Sequence, residues 1–266
     1  MTANPLTTIR FGEVPFAEAI EALRRYVPMS ADQWNALSLN ARRQAISFAD
    51  AASEGAAAAV QRVLEQALVD PVRGNFQERA NAVLERYDVT LSPHQADTIY
   101  DTVMNRAIND GKLEQIKDPV LSSEWPYMGL DTAADSRVRP NHYAMDWRRI
   151  KTVFPVNDPG LANFAPPLGY RCRCTWRFFS REDVEKFGLT VGQLSDFVGK
   201  STVVSMPDGR EVPTIVIPDN GFGGGTLTAK DVEEHVLCGC GRHPVVHPLN
   251  LGLIILALHC AQRKAA

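Results

Sequence analysis

The chain has 266 residues, 45% hydrophobic and 22% charged, with a formal net charge of −3. That balance fits one large or two modest globular domains, and excludes both a wholly disordered chain and a bulk polyanion binder. Charge is mildly uneven. Residues 1–115 carry 11 basic and 15 acidic side chains, whereas residues 116–177 carry 9 and 6. The second excess is too small to claim nucleic-acid binding alone.

The first 115 residues read as helical. Phe16, Ile20, Leu23 and Val27 share one helix face, and Pro28 ends that helix. Residues 31–69 continue the pattern, with Val60, Leu64 and Leu68 at spacing four and Gly55 as a bend. Pro71 and Gly74 close this stretch, and a further helix is predicted from Phe76 to Tyr87. Ser92-Pro93-His94-Gln95 is a capping box with proline at the first helical position. The helix it starts runs through Ile99, Val103 and Ala107 to Asn109, with Gly111 at a left-handed C-terminal position. These signals predict an all-α region over residues 1–115, suited by its mixed surfaces to packing on partners.

After Pro119 prolines and glycines crowd the chain, so long helices are excluded. Short strands are expected near 150–156 and 174–179. A hairpin follows, with Pro207-Asp208-Gly209-Arg210 turning between the β-branched runs 202–206 and 211–217. The fold class is α+β: a helical N-terminal region, then a small loop-rich α+β domain over 116–225 with short strands and the hairpin. Residues 226–266 read as a C-terminal tail.

The middle carries three chemical features. In Cys172-Arg173-Cys174 both thiols would share one face of a strand, with Arg171 and Arg173 on the other. A disulfide between residues two apart would be strained. His142 lies upstream in a basic, proline-bounded loop with Asp135, Arg137 and Arg139. His142, Cys172 and Cys174 are three zinc-type ligands, with Asp135 available as a fourth. Buried thiols beside a hydrogen-bonded histidine are the simpler reading. The Asp-x-Arg-x-Arg run reads first as an internal ion-pair network, because buried arginine is normally paired.

Together the segments resemble a known family. Asp135-Ser136-Arg137-Val138-Arg139-Pro140-Asn141-His142, then Pro166-Pro167-Leu168-Gly169-Tyr170-Arg171-Cys172-Arg173-Cys174, then Pro218-Asp219-Asn220-Gly221-Phe222 occur in order. This is similar to the Mu F-like head-morphogenesis family of phage minor head (capsid) proteins. The chain departs from it at Trp147-Arg148-Arg149, where many members have glycine after Asp146, and at Gly223-Gly224-Gly225, where Asn-Pro-Gly is usual. The resemblance implies a non-enzymatic structural protein of a tailed phage or prophage virion. Such a protein joins the head near the portal in few copies and assists viral assembly. Its implied partners are the portal protein or major capsid protein, with scaffold and double-stranded DNA as further candidates.

Two other functions stay open on the residues alone. One is a zinc-dependent hydrolase or nuclease using His142, Cys172 and Cys174 with Asp135 as base, although no His-Glu-x-x-His motif is present. The other is DNA contact through Arg148, Arg149, Lys151, Arg171 and Arg177, with Arg137, Arg139 and Arg173 nearby; it is compatible with a head protein. Five cysteines, at 172, 174, 238, 240 and 260, do not form an even disulfide framework. The tail adds His235, His243, His247 and His259, a second metal-capable set that competes with a plain apolar docking segment at Leu249–Ala261. That segment is about 13 residues, short of the ~20 a membrane span needs. Met1-Thr2-Ala3-Asn4-Pro5 lacks a secretory start, so synthesis in the host cytoplasm with reduced thiols is expected.

Overall fold

The computed structural model describes residues 16–69, 75–219 and 222, with two-residue strands at 236–237 and 244–245. The N-terminal part holds α1 (Ala17–Arg25), α2 (Ala31–Ala36), α3 (Leu39–Arg42), α4 (Glu54–Val69), α5 (Phe76–Leu84) and α6 (Pro93–Gln115). It is not purely helical. Strands β1 (Val27–Pro28) and β2 (Ala45–Ile46) pair in parallel. The helix expected through Val27 therefore stops at Arg25, and Val27 turns half out to solvent.

Other expectations hold in kind. Ile20 is buried, and Leu23, Val60 and Leu64 lie in one core with Phe76, Leu84, Val103 and Ala107. Ser92 and Gln95 form the reciprocal cap at the start of α6. Gly55 does not bend a long helix. It lies in the first turn of α4, against the Tyr87 ring.

The end of α6 differs from expectation. The helix passes through Gly111 and runs to Gln115. Gly111 is a crossing point: a Cβ there would sit 2.6 Å from the Ala19 backbone nitrogen of α1. The two helices pack closely because neither offers bulk at that position. Gly111 is buried, as is Asn109 in the same helix.

Beyond α6 come α7 (Pro119–Glu124), β3 (Tyr127–Asp131), α8 (Pro140–Tyr143), α9 (Trp147–Ile150), β4 (Thr152–Pro155), β5 (Thr175–Phe179), α10 (Arg181–Phe187), β6 (Thr190–Val191), β7 (Ser201–Ser205) and β8 (Glu211–Ile215). The expected strands near 150–156 and 174–179 are β4 and β5. The sheet order is β5-β3-β4-β6, with β3 antiparallel to both neighbours. The hairpin β7–β8 forms as expected, with Gly209 at φ +83° in its turn. A second core of Met128, Leu130, Phe154, Phe164, Leu168 and Trp176 fills the space under the sheet. The fold is α+β.

Helix α6 serves both cores. Its apolar residues enter the first, and Asn105, Asn109 and Lys112 reach the outer edge of β5. Asn109 Oδ1 accepts from the Trp176 backbone N–H at 2.9 Å and from Thr175 Oγ1 at 3.1 Å. Asn105 donates to the Cys174 carbonyl at 2.9 Å, and Lys112 Nζ to the Trp176 carbonyl at 3.0 Å. These side chains satisfy an edge strand that would otherwise present unpaired backbone.

Gly111→Ala should lower stability, by roughly 1–3 kcal/mol from overpacking. Denaturant unfolding checks this, because an open helical site would gain ~1 kcal/mol from the same change.

Candidate functional site: the Asp219–His142 knot

The three motif segments fold against one another. Pro140 opens α8, whose short turn places His142 inward. His142 is 1% exposed. Its Nε2 faces the Leu168 carbonyl at 3.2 Å and Asp219 Oδ1 at 3.3 Å. Its Nδ1 faces Cys172 Sγ at 3.7 Å and Cys174 Sγ at 3.8 Å. Both cysteines are free and buried.

Asp219 ties the segments together. It accepts from Asn141 Nδ2 at 3.0 Å and pairs with Arg139 Nε at 3.0 Å. Its own backbone N–H donates to the Leu168 carbonyl at 2.7 Å. Asn141 also donates to the Ile217 carbonyl, and Arg139 to the Tyr170 carbonyl. Gly169 is required where it stands, since a Cβ there would collide with the Asp219 carboxylate. Tyr170 meets Phe222 edge-on at 4.8 Å between ring centres. Pro166 and Pro167, joined by a cis peptide bond, are buried beside this knot.

The thiol pair is not on a strand. β5 begins at Thr175, and residues 172–174 lead into it. The alternation still holds: Cys172 and Cys174 point inward, and Arg171 and Arg173 outward. Arg171 has φ +55°. The Cys174 N–H donates to Cys172 Sγ at 3.4 Å.

Charge is distributed accordingly. Burial works against a charged His142, but Asp219 and Cys172 outweigh it and raise its pKa to about 9. The Cys172 thiol is pulled down to about 4, first by the hydrogen bond from Cys174 and then, against burial, by His142. The Cys174 thiol is pushed up by the neighbouring sulfur and by burial.

Asp135 is elsewhere. Its two oxygens accept from Arg173 Nη1 and Nη2, each at 2.7 Å, and from the Arg137 N–H at 3.0 Å. It does not join the His142–Cys172–Cys174 group, which gathers only those three ligand atoms among the described residues. The expectation of Asp135 as fourth ligand or as base is therefore corrected. A bidentate arginine has claimed it.

Most arginines considered for nucleic acid have internal partners. Arg148 forks onto Asp146, with Nε at 2.9 Å and Nη2 at 2.6 Å, and reaches Asp131 at 2.9 Å. Arg149 donates to the Ala144 and Val203 carbonyls. Arg171 pairs with Asp101 at 3.3 Å and Asp97 at 3.7 Å. Arg177 stacks on Trp147 and Phe179. Lys151 is exposed, at φ +52° after α9.

Residues 58–177 match the model of the phage Mu protein F like family. Over that stretch, a little under half of its length, the chain is similar to this family. Capsid assembly protein F of Escherichia phage Mu is 28% identical over 112 residues, covering 42% of this chain. The chain spans about a quarter of the length of that relative, 24%. No solved structure matches. The family stretch starts inside α4 and includes all of α6, so it takes in the Asn105–Asn109–Lys112 edge contacts as well as His142 and the Cys-Arg-Cys segment.

Sequence reasoning missed two elements of the site. One is Asp219, quoted in the third segment without a role. The other is Asp146, fully buried. It accepts from the Thr132 N–H at 3.1 Å, from Thr132 Oγ1 at 2.6 Å and from the Arg148 N–H at 2.9 Å. Asp146 caps α9, so Trp147-Arg148-Arg149 keep a defined turn without glycine. The available signals were an aspartate just before a Trp-Arg-Arg run and a polar i, i+4, i+7 stripe in the middle of α6. The tail histidines and Cys238, Cys240 and Cys260 lie outside the described residues.

Asp219→Ala should cost about 2 kcal/mol in chemical denaturation, because it leaves buried donors unmatched. Arg173→Ala should cost less than about 1 kcal/mol, since that pair is solvent-screened. Equal losses would contradict the ranking. Burial raises the Asp146 pKa, but hydrogen bonds from Arg148 and Thr132 bring it below the usual aspartate value. Its stabilisation is thus present above the unfolded aspartate pKa and fades as pH falls through the depressed folded value. Asp146→Asn should flatten that acid limb of a stability-versus-pH curve. An unchanged limb would remove Asp146 as its source.

Proposed function

We propose that this chain is a minor head protein of a tailed phage or prophage that works in head morphogenesis by packing against other head proteins. The family match carries this reading, with the relative's printed role in capsid assembly. The inward-facing motif supports a non-catalytic role: His142, Cys172 and Cys174 are each 1–3% exposed, and Asp135 is held by Arg173. A hydrolase or nuclease would need a reachable nucleophile or an open metal position beside a free base, and the described residues do not offer that set. No helix among the described residues is long and apolar enough to cross a membrane. The place of action we infer is the phage head, near the portal, with the portal protein or major capsid protein as partner. Residues 1–115 are taken as the docking region, 116–225 as the Mu F-like domain and 226–266 as a tail.

The surface we assign to docking is a groove of about 720 Å³ between α2, α6 and the Tyr170 loop. Trp34, Ile46, Phe48 and Tyr170 supply apolar lining, and Arg42 and Arg106 lie among them. Arg42 donates to the Trp34 and Asn35 carbonyls, and Arg106 to those of Arg42 and Ala45. Carbonyl partners leave their positive charge in place, so the groove suits an acidic amphipathic segment of a head protein.

Trp34→Ala combined with Arg42→Glu should reduce incorporation into purified heads by tenfold or more while leaving the melting temperature within a few degrees. Normal incorporation would rule the groove out. DNA contact rests on the exposed basic residues that remain, chiefly Lys151, and little DNA retention is expected at physiological salt. A steep loss of binding with rising salt, of several phosphates' worth, would instead establish it.

A further inference from the structure

The His142 imidazole has a fixed tautomer and a shared target. A backbone carbonyl can only accept, so the Leu168 oxygen at 3.2 Å, seconded by Asp219, holds the proton of a neutral ring on Nε2. The Nδ1 lone pair then points between two sulfurs at nearly equal distance, 3.7 and 3.8 Å. One lone pair bonding a single S–H would draw toward that sulfur. A position equidistant from both suits a third body between them.

The dimensions fit an ion. With bonds of ~2.3 Å to sulfur and ~2.05 Å to nitrogen, nitrogen and sulfur stand roughly 3.6 Å apart in a tetrahedral site and roughly 3.8 Å apart in a trigonal one. The three ligand atoms all lie within 4.8 Å of one another. Two thiols and an imidazole form a soft donor set, which selects zinc or copper(I) over magnesium and calcium. The outer shell is also in place. Metal-bound histidine regularly gives its other N–H to a carboxylate or carbonyl, and His142 has both. The N–H of Cys174 points at Cys172 Sγ, where it would stabilise a thiolate ligand.

We propose that His142 Nδ1, Cys172 Sγ and Cys174 Sγ bind one thiophilic metal ion, of the zinc or copper(I) kind, which crosslinks the Asp-Arg-His and Cys-Arg-Cys segments. Binding releases the thiol protons, as thiolates are the ligands. Asp219 is a positioning residue that orients the ring. The burial of all three ligands makes the ion structural and slow to exchange.

Elemental analysis of the full chain, purified under reducing, oxygen-free conditions, tests this. The probes are zinc, copper(I) and magnesium, each offered during refolding. About one equivalent of zinc or copper per chain is expected, and no magnesium. The Cys238→Ser/Cys240→Ser/Cys260→Ser variant should keep that equivalent, and Cys172→Ser/Cys174→Ser should lose it. Should the second variant not fold, cobalt(II) added to the first decides. Thiolate-to-cobalt charge-transfer absorption that saturates at one equivalent supports the site, and its absence overturns it. Less than about 0.1 equivalent of both zinc and copper in the folded wild-type chain also overturns it. So does metal retained when Cys172→Ser and Cys174→Ser are added to the Cys238→Ser/Cys240→Ser/Cys260→Ser variant.

Discussion

Asp219 joins two loops far away in sequence. Asn141, Arg139 and His142 come to it from one, while Leu168 and Gly169 of the other press against its backbone and side chain. This contact matters because the surrounding domain has little regular structure to hold it. Its strands are two to five residues long, and its loops carry many polar groups. Buried polar groups must be paired, and pairing them across loops fixes loop geometry. The three motif segments are thus one structural unit. Its arginines and aspartates are internal ties first.

Helix α6 extends the same logic to the N-terminal region. Asn105, Asn109 and Lys112 supply the hydrogen bonds that the edge of β5 lacks, immediately after Cys174. The knot and the helical core are therefore mechanically connected through one strand edge.

Much of this was legible in the sequence, and the misses have physical causes. The Ser92–Gln95 cap, the β7–β8 hairpin and the inward cysteines follow from local rules of capping, turns and alternation. Local rules failed where tertiary contact decides. Gly111 looked like a helix stop because glycine often is one; only the close passage of Ala19 explains it within a helix. Val27 fitted a helical face, but the parallel bridge to Ala45 claims it. Asp135 looked available to a metal until Arg173, 38 residues later, occupied it. Asp219 could not be assigned a partner because nothing in its neighbours points to His142.

The central claim is that the knot is one cooperative element. Amide hydrogen exchange on Asp219→Ala and wild type tests it most directly. The amides of Cys172, Cys174, Trp176 and Asp219 are bonded respectively to Gly169, Cys172, Asn109 and Leu168. They should lose protection together in the variant, by a similar factor. Loss confined to residues 217–219, with Cys174 and Trp176 still protected as in wild type, would contradict the account.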